Sequence, residues 1–330
     1  MRTRIQTVSA SLLGALLLLL PLGTARALDY PTRSIRVIVP FAASGVTDIV
    51  ARIVFDKVGQ QIGQQVIIDN RPGAGGTIAV DLAVHAAPDG YTFIMADPSG
   101  SLPANVTLYP TLKYDPRKDL APVAILGTTG AAITVPASSP VKTLKDLVDL
   151  AKQKPGELTF VSVGNGTPGH LNGELFSRLV GIKATHVPYR IMSQAVTDII
   201  AGRVSFWIVP IPGLLQHIKA GEVRALAVAG DAHSPDLPGV PTVEEAGFGH
   251  YDASTTYALF GPAKTPKEIT ARMHDEIKKA LESDVVQEKL RKAGVEPKIG
   301  SPEQIKKMLE ERTPEWAEVI TSAGIRAEGR

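Results

Sequence analysis

Beyond residue 28, short β-branched runs alternate with amphipathic stretches along the whole chain. Ile35, Val37, Ile38 and Val39 predict a buried strand over 35–39, which Pro40 closes because proline has no N–H to give a central ladder. Ala42, Ala43, Ser44 and Gly45 follow as a small-residue loop, and Thr47 or Asp48 is placed to cap a helix over 47–62. The apolar face of that helix reads as Ile49, Ile53, Val54 and Val58. The same grammar continues with strands over 66–69, 91–96, 120–127 and 131–135 and a helix over 77–86. It resumes with Thr143 as the cap of a helix over 144–153, then strand 158–163, helix 169–180, strand 184–188 and helix 193–201. Strands over 204–209 and 224–229 enclose a short helix, and 231–244 reads as a surface connection rich in Pro, Ser and Asp. A strand over 255–260 then leads to a helical tail over 266–283, 284–293 and 302–323, where Ile269, Met273, Ile277 and Leu281 recur at helical spacing.

Strand–helix alternation of this kind predicts an α/β protein with mixed, mostly parallel sheets flanked by helices. A tail that starts with a strand returns most simply to the first sheet, which gives two lobes joined by crossings near 124–132 and 228–255. On this reading residues 1–27 are a leader, 28–127 begin lobe one, 128–229 form lobe two, and 230–330 cross back to complete lobe one. Ligands of open α/β sheets sit at the carboxyl ends of the strands, so both lobes would aim their strand-to-helix loops into one cleft.

Arg2 and Arg4, the apolar run from Leu12 to Leu20, and Ala25-Arg26-Ala27 have the order of an export signal with its small-x-small cleavage site. Losing the leader takes Arg2, Arg4 and Arg26 from the 35 basic residues, leaving 32 against 33 acidic ones. A net charge near zero without Lys/Arg runs argues against a nucleic-acid partner. The chain has no cysteine, which removes disulfides, thiolate metal sites and a thiol nucleophile. The seven histidines show no metal-binding spacing, and no cofactor is expected.

Two stretches carry candidate chemistry. The loop at 41–48 joins a strand to a helix start, so free backbone amides and the positive end of a helix dipole point at one spot, an anion site built without a charged side chain. Gly164-Asn-Gly-Thr-Pro-Gly169 repeats the arrangement in the second lobe, with Thr167 also placed as a helix cap. The first stretch is equally an ordinary turn on its own; the second could also be a tight turn, but the matching loop in the other lobe favours a site. Asn70 to Gly76 misses the dinucleotide fingerprint because Ile78 stands where a glycine is required; there Arg71 is placed to pair with a surface carboxylate. Ser99, after the third strand, can reach the cleft as a hydrogen-bond donor and, more weakly, as a nucleophile. His170 lies beside the second loop. Tyr189 and Arg190 stand at a strand end, where a guanidinium can grip a carboxylate.

Tyr30-Pro-Thr-Arg-Ser-Ile-Arg-Val-Ile-Val-Pro-Phe41, Asp69-Asn-Arg-Pro-Gly-Ala-Gly-Gly76, Pro88-Asp-Gly-Tyr91, Gly164-Asn-Gly-Thr167, His186-Val-Pro-Tyr189 and Leu237-Pro-Gly-Val-Pro-Thr-Val243 together resemble the Bug family, the substrate-binding proteins of tripartite tricarboxylate transporters. The resemblance runs through essentially the whole chain after the leader. It implies a two-lobed periplasmic-binding-protein fold of the type II kind with the ligand cleft between the lobes. It further implies a non-enzymatic, monomeric periplasmic protein that closes on a small organic carboxylate and delivers it to a membrane permease, or to a sensor where no permease exists. The matching ligand positions are Phe41, Ala43, Ser44, Thr47 and Asp48 in one lobe and Gly164, Asn165 and Thr167 in the other, to which the residue-level reading adds Ser99, His170, Tyr189 and Arg190. Three departures stand out: Ala42-Ala-Ser-Gly-Val46 in place of the usual Pro-Pro-Gly-Gly-Gly, Tyr189-Arg-Ile-Met-Ser193 in place of Tyr-Lys-Gly-small-Gly, and Val209-Pro210 in place of a frequent Asp-Asn. They point to a ligand with an aromatic or apolar distal end. The alternative is an exported hydrolase of a small carboxylate ester or amide that uses Ser99 or His170.

Overall fold

The computed structural model describes residues 30–230 and 232–327; the leader expected over 1–27 lies outside them. Residues from Arg33 onward fall in one compact unit. Its elements in chain order are β1 (Ile35–Val39), α1 (Val46–Ile62), β2 (Val66–Asn70), a single 3-10 turn (Ala74–Gly76), α2 (Thr77–Val84), β3 (Thr92–Ala96), α3 (Ser101–Leu108), α4 (Pro116–Asp119) and β4 (Leu120–Thr129). Then come β5 (Ala131–Pro136), α5 (Leu144–Gln153), β6 (Thr159–Ser162), α6 (Pro168–Val180), β7 (Thr185–Pro188), α7 (Met192–Ile200), β8 (Trp207–Pro210), α8 (Ile211–Lys219) and β9 (Val223–Ala229). The chain ends with β10 (Thr255–Pro262), α9 (Lys267–Leu281), α10 (Asp284–Lys292), β11 (Glu296–Gly300) and α11 (Pro302–Ser322). Among the described residues no helix is long and apolar enough to cross a membrane.

A six-stranded sheet has the order β11-β4-β10-β3-β1-β2. Its centre reads as near-continuous apolar runs because helices cover both faces; Ile35, Val37, Ile38 and Val39 of β1 are fully buried. β1 runs parallel to β2 and β3, whereas β10 is antiparallel to β3 and β4, and β11 is antiparallel to β4. Strands from 131–229 make the other sheets: β8-β5-β9, antiparallel throughout, and the parallel pair β6-β7, tied to the first by a bridge between Phe160 and Phe206. The sheets are therefore more evenly mixed than strand–helix alternation implies. Parallel pairing is confined to the strands that feed helices directly, and the strands that border the crossings turn antiparallel. Gly130 alone separates β4 from β5.

Three elements have no counterpart in the sequence reading: α3, α4 and the edge strand β11. α3 is held by tertiary packing. Ala104 and Leu108 join Leu171 of α6 and Trp316, Val319 and Ile320 of α11 in one buried cluster. The buried stripe of α1 is Val50, Ala51, Val54, Phe55 and Val58, rotated from the face that includes Ile49 and Ile53. That stripe meets α9 and α10, so the partners set the phase. The helix caps also differ from expectation. Gly45, in extended backbone, is the cap of α1 and offers no side chain, so neither Thr47 nor Asp48 caps it. Thr167 is the cap residue of α6, but its hydroxyl bonds the Gly164 carbonyl at 2.7 Å and not a helix amide. Thr143 does cap α5, in a reciprocal box with Asp146.

Candidate functional site

The first loop is shaped by a carboxylate at its base. Asp48, in the first turn of α1 and only 2 % exposed, accepts the Ser44 amide at 2.9 Å, the Arg52 guanidinium at 2.9 Å and the Asn70 side-chain amide at 3.0 Å. Asn70 also donates to the Phe41 carbonyl at 3.0 Å. It can reach both because the parallel register sets Asn70 beside Val39, the last residue before the loop. Burial would raise the Asp48 carboxyl pKa, but Arg52, the Ser44 amide and Asn70 outweigh it and hold it below the usual carboxylate range. The clasp keeps Ser44 at a φ of +68°, a left-handed conformation that costs a non-glycine residue about 1–3 kcal/mol. Asp48 thus spends its oxygens inside the protein, and Arg52 neutralises it. Around it the backbone amides of Ala43, Val46 and Thr47 have no acceptor among the described residues. Three such amides at a helix start, beside a carboxylate already neutralised, can donate to a carboxylate.

The second loop leaves β6 at Ser162 and enters α6 at Pro168. Gly164 and Gly166 take φ values of +131° and +71°, where a side chain would be strained. The Ser162 hydroxyl sits between the amide and carbonyl of Gly164 at 3.1 and 2.9 Å, and the Gly166 amide donates to His170 Nδ1 at 3.1 Å. Pro168 has no N–H to lose at the first helical position, and the amides of Gly169 and His170 that follow it have no acceptor among the described residues. β7 lies parallel to β6, and the Tyr189 amide bonds the Ser162 carbonyl at 2.8 Å, which brings 189–192 alongside this loop. Arg190 is exposed there and makes no hydrogen bond or ion pair among the described residues. The Tyr189 hydroxyl is taken by Asp198 at 2.7 Å.

The second loop and the 74–76 turn that packs on Pro40 both touch the C-terminal end of α3. Gly76 packs on Pro40, its neighbour Gly75 lies against Asn105 and Tyr109, and a Cβ on Gly166 would stand 3.4 Å from Leu108. Ser99 sits deeper, 3 % exposed; its hydroxyl bonds the Asp97 carboxylate at 2.6 Å and the Ser254 carbonyl at 3.1 Å. Burial pushes the Asp97 carboxyl pKa up against the bonds from Ser99, Thr256 and Ser101. A hollow of about 10 Å³, room for roughly one water, separates Asp97, Ser99 and Gly100 from Pro168, Leu171 and Asn172. With its hydroxyl committed and no imidazole bonded to it among the described residues, Ser99 is not an activated nucleophile. Arg71 pairs with Asp69 at 3.0 Å, as its position before the turn suggests. A cavity of about 600 Å³ lies away from both loops, at the crossings between the sheets, with Thr128, Gly130, Val228, Asp252 and Lys298 in its wall. It contains none of the residues that the sequence singled out.

Sequence reasoning missed Arg52 and Asn70, the two side chains that neutralise and hold Asp48. The Arg52 contact lies within α1 and shows in the sequence only as an i,i+4 spacing, whereas those of Asn70 form between elements and leave no local sign.

This architecture, a six-stranded mixed sheet followed by a three-stranded and a two-stranded sheet, all flanked by helices, is that of periplasmic solute-binding proteins. The chain belongs to the TctC family, the tripartite tricarboxylate transporter family receptors, which it matches over residues 50–325. It is 33% identical to Protein BugT of Bordetella pertussis over 295 residues, 89% of this chain and 90% of that one. Rpa4515 of R. palustris, solved with adipate, is 35% identical with a TM-score of 0.75, covering 90% of this chain and 99% of its own. MatC from Rhodopseudomonas palustris, solved with malate, is 30% identical with a TM-score of 0.73, covering 88% and 100%. Members of the family are transporter receptors for small carboxylates and not enzymes; the hydrolase alternative has no support.

Proposed function

We propose that this chain is a periplasmic receptor that holds one carboxylate of its ligand between the amides of 43–47 and those of 164–169. The observation that carries the reading is the group of unsatisfied amides around a carboxylate, Asp48, already neutralised by Arg52. Residues 28–127 with 230–330, and 128–229, act as two lobes that close on the ligand, and the chain is exported by its first 27 residues. It works as a monomer and hands the ligand to a tripartite-type permease, or to a membrane sensor where none is present.

The distal end of the ligand is apolar or aromatic. Of ten large apolar side chains left exposed among the described residues, Phe41, Val163, Ile191 and Met192 lie in or beside the two loops. Apolar surface gathered at a binding edge favours a ligand that covers it. Arg190, uncommitted at the same edge, suits a second carboxylate at the far end of an apolar spacer, in keeping with adipate in one relative. Calorimetric titration with adipate, an aromatic monocarboxylate such as benzoate, and citrate tests the reading. Adipate or benzoate is expected to bind and be recovered unaltered; tight binding of citrate alone would overturn the apolar distal end.

A further inference from the structure

We propose that His170 and His186 are positioning residues: a stacked pair of imidazoles that holds the 164–167 loop in its ligand-receiving shape, with His170 required neutral. This rests on the reading that the loop receives a carboxylate. The two rings lie 3.7 Å apart between centroids and 6° from parallel. One edge of the stack meets the loop twice. His170 Nδ1 accepts the Gly166 amide at 3.1 Å, and His186 Nε2 lies 2.6 Å from the Ser162 hydroxyl, the group set between the amide and carbonyl of Gly164.

The first contact fixes a tautomer. A backbone N–H can only donate, so His170 Nδ1 carries no proton and the ring's proton is on Nε2. Protonation would set N–H against N–H and push the Gly166 amide away. Both glycines are in left-handed backbone, and the Ser162 and Thr167 hydroxyls bond Gly164, whereas the Gly166 amide donates to His170 Nδ1.

The surroundings favour the neutral ring. His170 is 8 % exposed; the titratable groups set against it are His186 on β7 and Glu174 on its own helix, whose Oε1 is 3.8 Å from Nε2. β6 contributes the Phe160 ring at 6.2 Å and the Ser162 hydroxyl, neither of which titrates near neutrality. Burial, aided by His186, draws the His170 pKa down to about 4, and burial raises that of Glu174, which weakens it as a counter-charge.

The assignment separates three versions of position 170. Asparagine places an amide oxygen near the Nδ1 position, accepts the Gly166 amide and cannot titrate; leucine fills the space and accepts nothing. With adipate as probe near neutral pH, His170→Asn is expected within about threefold of the natural affinity and His170→Leu at least about tenfold weaker. At about pH 4 half of the natural protein would carry the proton, so its apparent Kd should rise about twofold relative to His170→Asn, in which the ligand's own titration cancels. A second readout needs no ligand. Imidazole ¹⁵N spectra of the unliganded protein should show His170 as the Nε2–H tautomer, titrating well below an ordinary histidine. If adipate fails to bind, the receptor reading falls and the spectra still decide this one. A His170→Leu variant that is folded and binds like the natural protein, or a His170 that titrates near 6.5, would overturn it.

Discussion

Replacing Asp48 with asparagine sets two effects of opposite sign against each other. By charge alone, removing an anion from beneath a carboxylate site should tighten binding. Taking about 8 Å and an effective dielectric of about 20–80, a lone unit charge there is worth ~0.5–2 kcal/mol. Arg52, 2.9 Å from Asp48, already cancels most of that field. By shape, the substitution should weaken binding. Asp48 accepts from Ser44, Arg52 and Asn70, and an asparagine can keep an oxygen toward some of these donors only by turning an NH₂ toward another. Hydrogen bonds to a charged group are worth ~1.5–3 kcal/mol, so a loss of about 2 kcal/mol of stability follows, and Ser44 is free to leave its left-handed conformation. In a chain of this size that lowers Tm by roughly 4 °C. If the clasp sets the spacing of the 43–47 amides, carboxylate affinity falls about tenfold, or ~1.4 kcal/mol. Thermal unfolding of the unliganded protein and calorimetric titration with adipate read the two quantities separately. A variant that loses stability but binds as well as, or better than, the natural protein would refute the reasoning.

Two further outcomes concern the interior. Gly173→Ala would place a Cβ 2.1 Å from the Phe160 ring, and overpacking a filled core costs ~1–3 kcal/mol; urea unfolding should show at least that loss, and an unchanged midpoint would contradict the packing described. His170 and Asp48 both tie stability to pH, in separate windows. His170 has a folded pKa of about 4 against the ordinary value of 6.5, so the unfolded chain binds its proton first and stability falls as pH drops between these values, by up to ~3 kcal/mol. His170→Asn should remove that slope. Asp48, held low, contributes stability above the ordinary carboxylate pKa and loses it as pH falls through its folded value.

What was legible in the sequence was mostly local. The β-branched run at 35–39 and the Thr143 cap act over a few residues, and both elements stand at their predicted places. α3 could not be read, because Pro103, Asn105 and Thr107 are weak helix formers and the helix is held by α11 and α6. β11 was hidden for another reason. Glu296, Pro297 and Lys298 look like a loop, but such residues suit an edge strand that must not recruit another chain. The strand-to-helix loops themselves were visible from their small residues. Their support was not: Asn70 reaches Asp48 only through the register of β1 with β2, and His186 reaches Ser162 only because β7 pairs with β6. Capping located the start of α6 at Thr167 but not that of α1, which Gly45 caps. The hydroxyl and carboxylate that look like caps in the sequence bond the loop backbone instead, leaving helix amides open.

The central claim is that two amide-bearing loops share one carboxylate. A crystal structure of the protein grown with adipate tests it most directly. The account predicts one carboxylate within hydrogen-bond distance of amides from both 43–47 and 164–169, with the aliphatic chain against Phe41, Ile191 or Met192. Adipate bound in the 600 Å³ cavity at the crossings, or touching one loop alone in a closed molecule, would contradict it.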